Sequence, residues 1–242
     1  MKVARDIQEK LLALQNLDAS LAQLDHKIKS LPVIKILEEK SQLLAKNRDL
    51  KIAAETELSD VQHELSRCEV DVEQVVTRIE KDEKRMSSGT ATPKELEQIQ
   101  HELGSLARRR SELEEVELGV MVRVEEIQNR IAELVSTIAT LTNEIGELQE
   151  VKSREVSTME DARSQNQSDR IALSALIEPE LLALYEKIRV ASDGVGAALL
   201  KGSQCEGCHL DMNAAEIARI RALSDDEVVR CEECRRILIR VG

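Results

Sequence analysis

Apolar residues fall at Leu96, Ile99, Leu103, Leu106, Leu113, Val120, Val124, Ile127, Ile131, Leu134, Ile138, Leu141, Ile145 and Leu148. The steps alternate three and four, and only Arg110 and Glu117 interrupt the stripe. A spacing that averages about 3.5 residues keeps a narrow apolar seam facing one partner helix, as in a coiled coil. A partner stripe lies just upstream at Leu58, Val61, Leu65, Cys68, Val72, Val75, Ile79 and Met86, with Asp82 its one polar position. The link between them, Ser87-Ser88-Gly89-Thr90-Ala91-Thr92-Pro93, is long enough only for a reversal. The pattern therefore predicts an antiparallel helical hairpin with residue i opposite roughly residue 180 minus i. Thr92, Pro93 and Glu95 form a helix start, with a cap, a proline at the first helical position and a carboxylate placed to close a capping box.

The chain opens with a further stripe at Ile7, Leu11, Leu14, Leu17, Leu21, Leu24, Ile28 and Leu31, followed by Pro32. Proline lacks the backbone donor and clashes with the preceding turn, so a break or kink is expected near 30–33. Beyond it the seam weakens, with Asn47 and Lys51 on or beside it. Residues 149–170 are polar apart from Val151, Val156 and Met159, and are expected to be helix with fraying. Gly104, Gly119 and Gly146 each cost a helix about 1 kcal/mol against alanine and suggest a bendable rod. Pro179 then opens a short amphipathic helix carrying Leu181, Leu182, Leu184, Tyr185 and Ile188. The domain boundaries read from this pattern are a hairpin over 1–170 with its turn at 87–93, a connecting helix over 171–194, and a small module over 195–242.

Composition supports the helical reading. Phe and Trp are absent and Tyr185 is the only aromatic, while 33% of residues are charged. Aromatics supply much of the buried area of a compact core, whereas a two-helix seam needs only aliphatic side chains. The net charge of −12 argues against a general electrostatic grip on nucleic acid or anionic lipid, and leaves room only for a local basic patch. No apolar run approaches the roughly 20 residues that span a bilayer, and Met1-Lys2-Val3-Ala4-Arg5-Asp6 lacks a signal peptide's apolar stretch. A cytoplasmic protein without membrane partners is expected.

Four of the five cysteines form two pairs, Cys205-Glu206-Gly207-Cys208 and Cys231-Glu232-Glu233-Cys234. Two Cys-x-x-Cys knuckles present four thiolates that close a tetrahedron around one zinc ion. Val195 to Leu200 and Ile237 to Val241 read as short strands, and Met212 to Leu223 as a helix capped by Asn213. So small a module buries too little core without a staple, which makes the zinc structural. A redox pair is the competing reading. Catalytic zinc is disfavoured, because four protein thiolates leave no open position for water. His209 follows the first pair and is expected to face solvent or form a hydrogen bond rather than substitute as a ligand, and Cys68 to be a small core residue of the seam.

From Lys201 onward seven positive residues meet eight negative ones, and no aromatic is present for base stacking. Arg230, Arg235, Arg236 and Arg240 nevertheless gather around the second knuckle and are candidate partner contacts. So are Thr90, Ala91, Lys94 and Glu95 at the turn, since binding residues favour loop ends on rigid scaffolds.

The turn sequence Thr92-Pro93-Lys94-Glu95-Leu96, the stretch Gln100-His101-Glu102-Leu103, and the C-terminal Cys-x-x-Cys-His and Cys-x-x-Cys-x-Arg-Ile-Leu resemble the bacterial C4-type zinc-ribbon family. Its members are described as nucleic-acid-binding zinc-ribbon proteins, and some act as adaptors for sigma factors or RNA. The resemblance implies zinc ligands at Cys205, Cys208, Cys231 and Cys234. Two departures stand out: Arg235 where glycine is common after the last ligand, and Ile239 where an aromatic often follows Arg-Ile-Leu.

The fold expected is mainly α, a long antiparallel coiled-coil hairpin with a small C-terminal zinc-ribbon domain. The function expected is a non-enzymatic adaptor for a protein partner in transcription or RNA handling, since no Ser/His/Asp set, phosphate loop or open metal site appears. One alternative is direct DNA or RNA binding through the ribbon, expected to be weak. A second is a coiled-coil factor that enters RNA polymerase. That one needs acidic residues at the turn to hold a metal, but Asp82, Glu83 and Glu95 lie back on the helices beside Lys81, Lys84, Arg85 and Lys94. Dimerisation of the hairpins is left open.

Overall fold

The computed structural model describes residues 1–89 and 91–240. Its helices are α1 (Arg5–Lys29), α2 (Pro32–Ser87), α3 (Pro93–Ser174), α4 (Pro179–Ala191) and α5 (Ala214–Ala222). Its strands are β1 (Ala197–Lys201), β2 (Gln204–Cys205), β3 (Val229–Arg230) and β4 (Ile237–Arg240). Each of the chain's three prolines is the first residue of a helix, where the missing N–H is no loss and the fixed φ suits the first turn. Of the break or kink expected before Pro32, the structure has the full break, over Ser30 and Leu31. Among the described residues no helix is long and apolar enough to cross a membrane. The chain divides into two compact units, Ile36–Leu148 and Met1–Lys35 with everything from Gln149 onward.

The first unit is the antiparallel hairpin. Ala54, Val61, Val120 and Ile127 form its buried centre, with Leu58, Leu65, Cys68, Val124, Ile131 and Leu134 packed against them. Cys68 is therefore a core residue, half-buried as its seam position requires. Ion pairs flank the seam: Arg78–Glu102, Arg123–Glu64, Arg130–Glu57 and Lys40–Glu144. The first matches the simple reversal about the turn, while Glu57 and Glu64 lie about two helical turns beyond it. Long side chains that reach obliquely across the seam produce such offsets. Helix α3 runs unbroken through Gly104, Gly119 and Gly146. Asp82 occupies its seam position with no exposure. One carboxylate oxygen takes the Arg78 guanidinium at 3.2 Å, and Oδ1 has no hydrogen-bond partner among the described residues.

The second unit is built on a four-stranded sheet of order β2-β1-β4-β3, with β1 and β4 parallel and both outer pairs antiparallel. Consecutive Ile237, Leu238 and Ile239 are all fully buried because the central strand is covered on both faces. Ile237 and Ile239 pack with Val3, Leu11 and Leu14 from the N-terminal segment and with Leu181, Tyr185 and Ile188 of α4. Leu238 faces the other way, into a cluster with Ile217 and Ile220 of α5 and the buried Cys205 and Cys231. The N-terminus itself joins the sheet end: the Val3 amide donates to Asp226 O at 2.6 Å, and the Val228 amide to Met1 O at 3.1 Å. The first helix, grouped with the hairpin on sequence grounds, thus belongs to the same compact unit as the ribbon.

Residues 149–170 are helical throughout. In place of an apolar repeat, polar ties hold the later part of the stretch to α1, with Arg163 donating to Asp25 at 2.7 Å and Arg170 to Asp18 at 2.6 Å.

Candidate metal centre

The two cysteine pairs sit at equivalent bends. Cys205 ends β2, Cys231 follows β3, and each pair turns back through a residue in the left-handed region, His209 at φ 61° and Arg235 at φ 64°. The amide of His209 returns to Cys205 O at 2.7 Å, and that of Arg235 to Cys231 O at 3.0 Å. Arg235 therefore adopts the conformation for which glycine is common, and the knuckle forms without it. His209 is exposed.

The four sulfur atoms lie within 4.8 Å of one another, and the Cys205–Cys234 and Cys208–Cys231 separations are both 3.9 Å. Four sulfurs at about 2.3 Å from a tetrahedral zinc stand about 3.8 Å apart, so the cluster fits that ion. Desolvation pushes the Cys205 thiol up to about 12, against the opposing amides of Cys208 and Gly207. Burial likewise raises Cys231, whose sulfur receives the amides of Cys234 and Glu233. At Cys234 burial is outweighed by the Arg236 amide and the neighbouring thiols, and the thiol is lowered. A metal takes cysteine as thiolate, so binding here releases the thiol protons. The amides around them are the hydrogen-bonding shell that tetrathiolate sites use. The chain holds one structural zinc here.

Of the four arginines near the second knuckle, two point inward. Arg236 donates to the carbonyls of Gly207 at 2.8 Å, Val195 at 3.1 Å and Ser192 at 3.2 Å, tying the first knuckle to the link between α4 and β1. Its path requires Gly207, where a Cβ would stand 2.7 Å from Arg236 Cδ and 2.8 Å from Ala198 Cβ. Arg240 caps the C-terminal end of α5 through Ile220 O and Leu223 O, and holds the following turn through Ser224 O and Glu227 O. Arg230 and Arg235 are exposed side by side, Arg230 Nε donating to Arg235 O at 2.9 Å.

At the hairpin turn the capping box is formed. The Thr92 amide donates to Glu95 Oε2 at 2.7 Å, and the Glu95 amide to Thr92 Oγ1 at 3.4 Å. The Thr92 backbone bond holds the Glu95 carboxyl below its ordinary range. Gly89 has the positive φ, 69°, that a tight reversal uses. Lys94 is exposed and Ala91 half-buried. Thr90 lies outside the described residues.

A polar network missing from the sequence reading carries the ribbon. Gln15 Oε1 accepts the amides of Gly196 at 2.7 Å and Ala197 at 3.3 Å, and its Nε2 donates to Gly194 O at 3.1 Å. The Tyr185 hydroxyl donates to Asp18 at 2.6 Å, and Asp18 in turn takes Arg170, which also reaches Glu186. Burial, then the Asp18 carboxylate, raises the Tyr185 phenol well above its ordinary value. A signal was present: Gln8, Leu11, Gln15 and Asp18 repeat at three and four beside the leucine stripe, and all four are buried.

Comparison with known proteins agrees with this layout. Residues 14–193 match the CT398-like coiled coil hairpin domain, and residues 204–238 the C4-type zinc ribbon domain. An uncharacterized protein of Mycobacterium tuberculosis is 35% identical over all of this chain and 98% of its own. A solved Mycobacterium smegmatis structure is also 35% identical, with a TM-score of 0.87 over 99% of this chain and all of that one. The structure of CT398 from Chlamydia trachomatis shares the fold, with a TM-score of 0.71 at 20% identity over 98% of each chain.

Proposed function

From the premise that the chain belongs to the CT398-like coiled-coil hairpin family and carries a C4-type zinc ribbon, we infer that it is a non-enzymatic adaptor whose partner is a protein engaged in transcription or RNA handling. The observation that carries this reading is the fate of the ribbon's arginines. Arg236 and Arg240 are committed to backbone carbonyls, which leaves Arg230 and Arg235 as the exposed members of the cluster. Only two exposed arginines in that cluster, more acids than bases from Lys201 onward, no aromatic for stacking and a tetrathiolate centre of about −2 charge make a poor phosphate surface but an adequate protein contact. Zinc fixes the ribbon and takes no part in chemistry, because four thiolates fill its coordination sphere.

The partner contacts in this reading are the turn, at Thr90, Ala91, Lys94 and Glu95, and the exposed Arg230 and Arg235. Capture from native lysate by the intact protein, repeated after nuclease treatment, tests it. Nuclease-resistant recovery of a protein that is lost when Thr90, Ala91, Lys94 and Glu95 are replaced by serine supports the adaptor and places contact at the turn. Recovery only of nucleic acid, or of proteins released by nuclease, overturns it.

A further inference from the structure

Midway along the hairpin, α3 presents apolar side chains to solvent. Leu118, Met121 and Val122, which are not seam positions, are 60%, 47% and 54% exposed. With Leu65 of α2 and Val124 they line a groove of about 380 Å³. Their spacing of three and four places them on one face. That face is bracketed by acids: Glu114 and Glu115 one turn before, Glu125 and Glu126 one turn after. Glu114 is held by Arg110 at 2.7 Å, while Glu115, Glu125 and Glu126 form no ion pair among the described residues. The nearby Arg123 is drawn to the other flank by Glu64 at 3.0 Å.

We propose that this groove is a docking surface for a basic amphipathic helix of a partner protein, with Leu or Met on its apolar face and Lys or Arg one turn to either side. The inference rests on the adaptor reading and adds a surface distinct from the turn and the ribbon. Charge selects the occupant. A second copy laid antiparallel on this face would set Glu114 and Glu115 against Glu125 and Glu126, and a parallel copy would set each acidic pair against itself. Like charges opposed in this way disfavour a homodimer. A basic helix meets the acids at both ends and fills the groove between them, in the helix-in-groove mode of recognition. The net charge of −12 steers such a partner towards the protein.

The probe is a fluorescein-labelled synthetic peptide, helical, with leucines at three and four spacing and lysines one turn to either side. Its control is a scrambled peptide of the same composition. Binding to the intact zinc-loaded protein is read by anisotropy. The helical peptide is expected to bind and the scrambled one to bind far more weakly. Leu118→Gln, and independently Met121→Gln, should weaken binding about tenfold, the scale of an interface anchor residue. Glu125→Gln should weaken it less and flatten its salt dependence. Both apolar positions are exposed, and circular dichroism checks that the variants keep their helicity. Three results would overturn the proposal: no binding, equal binding of the scrambled peptide or of the Leu118→Gln protein, or self-association of the protein that Leu118→Gln abolishes. Nuclease-resistant partner capture unaffected by Leu118→Gln would remove this surface alone and leave the adaptor reading in place.

Discussion

Gln15 of the first helix accepts the backbone amide of Gly196, 2.7 Å away at the entry to the ribbon's sheet. Residues far apart in sequence are thereby joined by a buried side chain, and the ribbon is anchored to α1 as well as stapled by zinc. Replacing Gln15 with leucine keeps the volume but leaves the amides of Gly196 and Ala197 and the carbonyl of Gly194 without partners. A buried unsatisfied group costs about 1–3 kcal/mol, so the variant should lose at least that much in denaturant unfolding. A loss below about 0.5 kcal/mol, the range of an ordinary surface change, would show that the anchor carries no weight.

Tyr185 offers a clean optical probe, being the only aromatic in the chain. Burial and Asp18 raise its folded-state value, so the folded protein holds the phenolic proton more tightly than the unfolded chain does. The corresponding stability is fully present below the unfolded value of about 10 and is lost as pH rises above it. Phenolate absorbance should therefore appear together with loss of helicity in an alkaline titration. Ionisation near pH 10 in a protein that keeps its helicity would contradict the buried contact with Asp18.

Asp82 gives the opposite kind of test. A carboxylate with no exposure and one orphaned oxygen destabilises the seam in which it sits. Asp82→Leu restores the apolar repeat between Ile79 and Met86 and should raise hairpin stability by about 1–3 kcal/mol. Thermal unfolding of the two proteins at one pH decides it. A destabilised leucine variant would mean that Arg78 and its neighbours depend on the charge.

Much of this architecture was legible in the sequence, because the seam, the prolines and the cysteine pairs each act through local spacing. Every apolar seam residue from Leu96 to Leu148 is buried or half-buried in α3. Asn213 caps α5 as its position suggests, accepting the Glu216 amide at 2.8 Å. What escaped depends on contacts distant in sequence. Nothing local in Gln15 or Asp18 says that a glycine or a tyrosine more than a hundred and fifty residues away will use their oxygens. Arg236 and Arg240 misled for the same reason, since a charge cluster read along the chain does not disclose which carbonyls its members serve.

The close passage of Arg236 over Gly207 gives a test confined to the ribbon. In Gly207→Ala the new methyl must displace Arg236 or Ala198, and overpacking of this kind costs about 1–3 kcal/mol. Zinc transfer to a chromogenic chelator should be faster by about tenfold, with the hairpin's helical signal unchanged. Cys231→Ser should go further and leave the protein without zinc. Unaltered transfer in the alanine variant would mean that Arg236 does not brace the first knuckle.

The claim on which the functional reading turns is that the ribbon meets protein rather than nucleic acid. It is tested most directly by the affinity of the intact, zinc-loaded protein for unstructured RNA and for duplex DNA across a salt series. An acidic chain whose ribbon has only Arg230 and Arg235 exposed from its arginine cluster should bind both weakly, with affinity falling steeply as salt rises. Submicromolar binding at physiological salt that survives a doubling of the salt concentration would contradict the account.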